Sequence, residues 1–535
     1  MTSGHENSQG LVRGPEESGR LSATGRWLVI ITAFLGWFFG GTHMAINGLA
    51  MRTAGLNLLV ISEGSDLTDG DRSTIASLKE VLDPDGNGTI EISSIPRLDP
   101  APGETTGKLD MAAVGLTKNP DQVPILGVAG DKNGLISEAE LERYVIDGRL
   151  GKRAGKWFGF YVCAFLFGAA LGGLVFGWIG DRFGRVKGMA AAITCYAGMS
   201  LLSYFVQSPT QLLIARFITC MGVGGMWPNG VALMSEAWEG VSRPMLAGVI
   251  GTAANVGIFL TYWVGRQVGV DYDSWRWVLL MGGSPIVLAV FVIALVPESP
   301  KWIVDRKRFK LEAQPGSAGT LQQDQQPKLT GTSTWDVFKP GLLGVTLVGV
   351  LLATVPLLGG WGASHWALGW ADKVGAEIGN TSLKADIGMA RSLTGIIGSF
   401  LGGMIASYAG RKRTYFLTSL LCLACAEYVY FFHTPEQWQF LASFAALGFF
   451  SGIFFGWLPL FLPELFVTRI RSTGAGVCFN FGRIITAVTV FAGAFLIQEF
   501  NEDYALLGRI MSLIYLLGAI GICLMPSGVG GSIED

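Results

Sequence analysis

Stretches of roughly twenty apolar residues, the length a helix needs to cross a bilayer, recur along the whole chain. They lie near 27–49, 157–179, 188–206, 210–234, 245–265, 276–296, 340–366, 386–408, 414–432, 437–462, 473–496 and 504–525. No water-soluble arrangement buries that many unbroken apolar helices, so the pattern predicts an all-α membrane protein with twelve transmembrane helices. Charge supports this, because only 15% of the 535 residues are Asp, Glu, Lys or Arg. A formal net charge of −2 gives no electrostatic reason to expect a nucleic-acid partner. The partners expected are the lipid bilayer and a small-molecule substrate. All seven cysteines fall inside apolar runs, which suits packing rather than a disulfide framework. No nucleophile triad, phosphate loop or metal-hydrolase spacing is present, so an enzyme is not expected and transport needs no cofactor.

The distribution of cations sets the orientation. Asp181–Lys187 joins the second and third runs, Lys301–Lys310 follows the sixth, Arg411-Lys412-Arg413 the eighth, and Arg469 and Arg471 the tenth. All fall on one side of the membrane, which the positive-inside rule makes cytoplasmic. An even number of spans then puts both termini there, in a multi-pass protein of the plasma or inner cell membrane. Residues 1–25 read as a polar cytoplasmic tail without a cleavable signal, 26–50 as helix one, and 51–155 as an extracytoplasmic insertion. Helices two to six occupy 156–296, a cytoplasmic linker 297–339, helices seven to twelve 340–525, and a second tail 526–535.

The two halves repeat. Gly177–Arg185 after helix two matches Gly403–Arg411 after helix eight at an offset of 226 residues. Glu236 and Arg243 after helix four match Glu464 and Arg471 after helix ten at 228. Two motif pairs at nearly one offset imply a duplicated six-helix unit. The motif G-x-x-x-D-R-x-G-R-x-K at Gly177–Lys187, Pro297-Glu298-Ser299-Pro300-Lys301-Trp302 and Pro463–Arg471 resemble the major facilitator superfamily, in its sugar-porter and metabolite:proton-symporter branches. The resemblance covers about 27–50 and 156–525. It implies two six-helix halves rocking about a central site, with Asp181, Arg182, Gly184, Arg185, Glu236, Arg243, Glu298, Arg411, Glu464 and Arg471 as gating residues at the cytoplasmic helix ends. Such charges can bond in one state and release in the other. The second copy carries Ser407 and Tyr408 where the first has Asp181 and Arg182.

Polar side chains inside membrane helices are costly and mark a candidate pathway. They are His43 and Asn47 in helix one, Arg216, Trp227 and Asn229 in helix four, and Trp361, His365 and Trp366 in helix seven. Trp457 in helix ten and Asn480 and Arg483 in helix eleven complete the set. The resemblance implies that helices one, four, seven and ten line the cavity. It also implies an acid in helix one facing the helix-four arginine, yet Gly40 and His43 stand there. An imidazole gains no attraction from a neighbouring guanidinium by taking up a proton, so carboxylate–arginine proton exchange is not expected. The coupling species is left between protons, another ion and none. With Arg216, Arg483 and Arg391 deeper than most carboxylates, the expected substrate is a small organic anion, with a sugar-like solute as the alternative.

Residues 83–94 resemble an EF-hand loop, with Asp83, Asp85, Asn87, Thr89 and Glu91 at oxygen-ligand places and Gly88 at the sixth, but Ser94 at the twelfth. A second loop, 129–140, offers Asp131, Asn133, Ser137 and Glu140 but begins with Ala129. The segment is therefore expected to be a small EF-hand-like α insertion holding Ca2+ weakly. The function expected is a secondary active or facilitative transporter working by alternating access; the alternative is a calcium-responsive sensor of the same shape with little net flux.

Overall fold

The computed structural model describes residues 21–525 apart from 64–67, 83–89, 92–134, 137, 239–242, 271, 273, 305, 307–336, 379, 381, 467–470 and 501–502. Among the described residues, eleven helical runs are long and apolar enough to cross a membrane. In chain order the helices are α1 (Ala23–Glu63), α2 (Asp69–Leu82), α3 (Glu138–Phe183), α4 (Arg185–Leu202), α5 (Pro209–Ala237), α6 (Arg243–Val268), α7 (Trp277–Gly283) and α8 (Ile286–Leu295). They continue as α9 (Pro340–Leu358), α10 (Ser364–Glu377), α11 (Leu383–Ala409), α12 (Arg411–Phe432), α13 (Trp438–Glu464), α14 (Arg471–Glu499), α15 (Tyr504–Ser512) and α16 (Ile514–Cys523). The pairs α7–α8, α9–α10 and α15–α16 each form one run. The 29-residue α5 is not among the eleven; it holds Arg216 and Asn229, both fully buried, and packs against α3 and α4.

The motif turns after α3 and α11 are built alike. Each is a glycine with positive φ, Gly184 at 121° and Gly410 at 85°, which lets the next helix start at once. At Gly184 a side chain would also collide with the Glu298 carboxylate, 2.2 Å from the Cβ position. That carboxylate accepts the Val186 N–H at the exposed amine end of α4, both of its oxygens lying 3.2 Å away. We call the side of the molecule carrying these turns the motif face and the opposite side the insertion face.

Two helices outgrow the bilayer. α1 has 41 residues and α3 has 46, or roughly 60 and 70 Å at 1.5 Å per residue, about twice the hydrocarbon thickness. Helix one was expected to stop near 49 and helix two to begin near 157; instead the apolar side of each extension finds a partner. Leu59, Ile146, Leu150 and Ala154 form a small buried cluster with Leu56, Val60 and Trp157. Asp71 of α2 then ties to Arg149 of α3 at 2.7 Å. Beyond them, two-residue strands β1 (Ile90–Glu91) and β2 (Leu135–Ile136) pair antiparallel. Of the expected calcium ligands, Asp83, Asp85, Asn87, Thr89, Asp131, Asn133 and Ser137 lie outside the described residues, while Glu91 falls in β1 and Glu140 in the first turn of α3. Among the described residues no group of His, Cys, Asp and Glu is arranged to hold a metal. Most of the linker expected at 297–339 likewise lies outside them.

Candidate functional site: a cationic, aromatic cavity

The α9–α10 run breaks in the middle. Pro356 removes a backbone donor, and Gly359–Ala363 form a π-helical turn before α10 resumes. Trp361 and His365, four residues apart, then face the same way and stack at 4.6 Å, with Phe165 of α3 on the other side of Trp361 at 4.2 Å. His365 Nδ1 lies 3.1 Å from the Gly360 carbonyl, which holds the ring upright. These residues border a cavity of about 130 Å3.

Trp37 and Trp227, with ring centroids 4.6 Å apart, close another wall. Two guanidiniums reach the cavity from the C-terminal helices. Arg391 of α11 donates through Nε to Ser364 Oγ at 3.1 Å. Arg483 of α14 donates to the Ala169 carbonyl at 3.2 Å and lies over the Phe479 ring at 4.7 Å. Asn255 and Ser451 add polar groups, and among the described residues no Asp or Glu lines the space. Two cations beside aromatic walls, with no resident counter-charge, form a site suited to a flat or compact anion.

Of the residues expected at the substrate site, Trp227, Trp361, His365 and Arg483 line this cavity; His43, Asn47, Arg216, Asn229, Trp366, Trp457 and Asn480 are not among its lining residues. Arg216 is fully buried against α1, donating to the His43 carbonyl at 3.1 Å and Asn47 Oδ1 at 2.9 Å, with His43 Nδ1 at 3.5 Å. Asn229 donates to the carbonyls of Phe176 and Gly225, both at 2.9 Å, and clamps α5 to α3. Trp366 packs on Phe158 and Tyr504, and Trp457 on Tyr415 and Phe461. Asn480 lies near Gly173, where α3 and α14 meet. Trp37, Phe165, Asn255, Ser451, Phe455 and Phe479 line the cavity without having been singled out in the sequence; for Asn255 and Ser451 a polar side chain within an apolar run was the available signal.

The residues expected to gate lie at the motif face. Arg185 pairs with Asp181 and lies 3.9 Å from Glu236; Ser299 donates to Glu236. Arg306 donates to the Arg182 carbonyl, and the Arg182 guanidinium lies over Trp178. Arg411 meets Glu464 at 3.3 Å, the second-half counterpart of Arg185 and Glu236. Arg243 and Arg471 open α6 and α14.

The family described as "Sugar (and other) transporter" matches residues 132–336. A putative metabolite transport protein of Haemophilus influenzae is 27% identical over 376 residues, covering 69% of this chain and 86% of its own. The cis,cis-muconate transport protein of Acinetobacter baylyi is 25% identical over 326 residues, covering 60% and 74%. The partially occluded inward-open xylose transporter of Escherichia coli superposes with a TM-score of 0.59 at 16% identity, over 96% of this chain and all of that one. The fold is thus that of the major facilitator xylose symporter, and the sequence is similar to sugar-porter-type transporters. The named relatives are transport proteins.

Proposed function

We propose that the chain is a secondary transporter that holds a small organic anion between Arg391 and Arg483 and moves it by alternating access. The observation that carries this reading is a cavity lined, among the described residues, by two guanidiniums and no carboxylate. Its size narrows the class: a protein cavity of about 150 Å3 accepts one benzene ring, and this one measures about 130 Å3. A planar unsaturated or single-ring carboxylate fits walls made of Trp37, Trp227, Trp361 and Phe165. The Acinetobacter baylyi relative is named for cis,cis-muconate, a molecule of that kind. On this reading α5 counts as a twelfth span, the motif face is cytoplasmic, and both termini lie on that side. Arg216 has no acidic partner among the described residues, so the cycle runs without carboxylate–arginine exchange. Proteoliposome counterflow with radiolabelled benzoate, cis,cis-muconate and xylose, with and without a pH gradient, tests the reading. Carboxylates should exchange and xylose should not; exchange of xylose alone would overturn it, and no flux at all would favour the sensor.

A second reading concerns the insertion. We infer that it is a pair of EF-hand-type loops binding Ca2+. Counted from Asp83 and Ala129, Ile90 and Ile136 are both eighth in their loops, and they pair with each other across β1 and β2. Equivalent positions meet in this way when two like units are related by an approximate dyad. Millimolar Ca2+, but not Mg2+, should raise the Tm of the full-length protein, and D83N/D85N together with E140Q should abolish the shift. An identical shift in the triple variant would remove the calcium reading.

A further inference from the structure

The two faces of the molecule pair their charges differently. At the motif face every described ion pair stays within α1–α8 or within α9–α16. At the insertion face pairs cross between the two sets: Arg52 of α1 meets Asp372 of α10 at 2.8 Å, and Arg266 of α6 meets Asp386 of α11. Lys384 of α11 braces the second oxygen of Asp372 at 2.7 Å.

Beneath these charges lies a seal. A side chain at Gly48 of α1 would meet the Tyr262 hydroxyl of α6 at 2.4 Å and Leu368 of α10 at 2.8 Å, and one at Gly388 of α11 would meet the Tyr262 ring at 2.6 Å. Four helices, two from each set, thus close together around one tyrosine. Each carries a charge one helical turn away: Arg52 from Gly48, Arg266 from Tyr262, Asp372 from Leu368 and Lys384 from Gly388. Residues four apart share a helix face, so the charges form a ring directly over the seal. The cavity lies on the other side of it, toward the motif face, with Phe455 and Leu458 near the motif-face end of α13.

We propose that Asp372 and Asp386 are the acidic posts of a latch that holds the insertion-side mouth shut and so favours the conformation open toward the motif face. This rests on the alternating-access reading. The posts are partly shielded, with Asp372 17% and Asp386 30% exposed, and removing the Asp372 charge leaves Arg52 and Lys384 facing each other across the boundary. The mouth then opens more often.

The test needs no substrate, so its failure is separate from a failure to find transport. In a background with the native cysteines replaced, Leu368→Cys reports the insertion side and Phe455→Cys the motif side, each labelled by an impermeant maleimide in oriented vesicles. D372N should raise the Leu368→Cys labelling rate about fivefold, the upper end for one partly exposed pair, and lower the Phe455→Cys rate. D386N should do the same more weakly. Loosened folding would raise both rates, and D386N then decides. Unchanged rates at both positions in both variants would overturn the latch.

Discussion

Three membrane-embedded arginines look equivalent on paper and are used in two ways. Arg216 is fully buried and spends its hydrogen bonds on α1, through the His43 carbonyl and Asn47. Arg391 and Arg483 each make one anchoring bond, to Ser364 and to the Ala169 carbonyl, and otherwise face the cavity. The difference lies in what surrounds the guanidinium. A cation whose donors meet fixed carbonyls acts as a brace between helices; one with donors left toward a shared open space can take a ligand. The comparison therefore predicts opposite consequences for substitutions that remove the same chemical group.

The largest effect should come from the cavity pair. Replacing Arg391 or Arg483 by Ala removes a charge-assisted contact worth about 1.5–3 kcal/mol, or about ten- to a hundredfold in affinity. Carboxylate counterflow should show that loss as a raised KM, with thermal stability close to the parent. If both variants exchange carboxylates with the parent KM, the two classes of arginine collapse into one and the anion site is elsewhere.

Arg216→Ala should behave the other way round. It leaves Asn47 Oδ1 without its donor in a site closed to water, a cost of about 1–3 kcal/mol, while the His43 carbonyl keeps only its helical N–H. The expected outcome is a lower Tm in detergent with an unchanged KM in whatever fraction folds. A raised KM at parental stability would place Arg216 with the transport site after all.

The same contrast marks what the chain's letters could reveal. The membrane helices, the duplicated turns and the charge clusters at the motif face were readable, because apolar runs and Gly184 and Gly410 in their motifs are local features. Which face a residue takes is not local. Trp457 and Leu458 are neighbours on α13, yet Leu458 lines the cavity and Trp457 packs on Tyr415. The extensions of α1 to Glu63 and of α3 back to Glu138 were hidden for a related reason, since they pack on each other through Leu59, Ile146, Leu150 and Ala154, a pairing that neither segment shows alone. The latch charges gave no signal, because Arg52, Asp372 and Lys384 near helix ends are ordinary until the two sets of helices are brought together.

The smallest expected effect tests that point on one turn of helix. Trp361 and Trp366 are five residues apart on either side of the π-helical turn's end, and an arginine comparison cannot separate facing from mere proximity. Trp361 stacks between Phe165 and His365 on the cavity wall, whereas Trp366 sits in a buried notch against Phe158 and Tyr504, with Gly493 beneath it. Trp361→Phe trims a ring from the stack, which should weaken carboxylate affinity by about 0.5–1.5 kcal/mol, or two- to tenfold at most. Trp366→Phe should leave affinity at the parental value and lower only the Tm, because the lost volume is not shared with the cavity. Equal affinity losses in the two variants would mean that the turn does not set the facing of Trp361, and that the wall of the site is organised by the bundle as a whole.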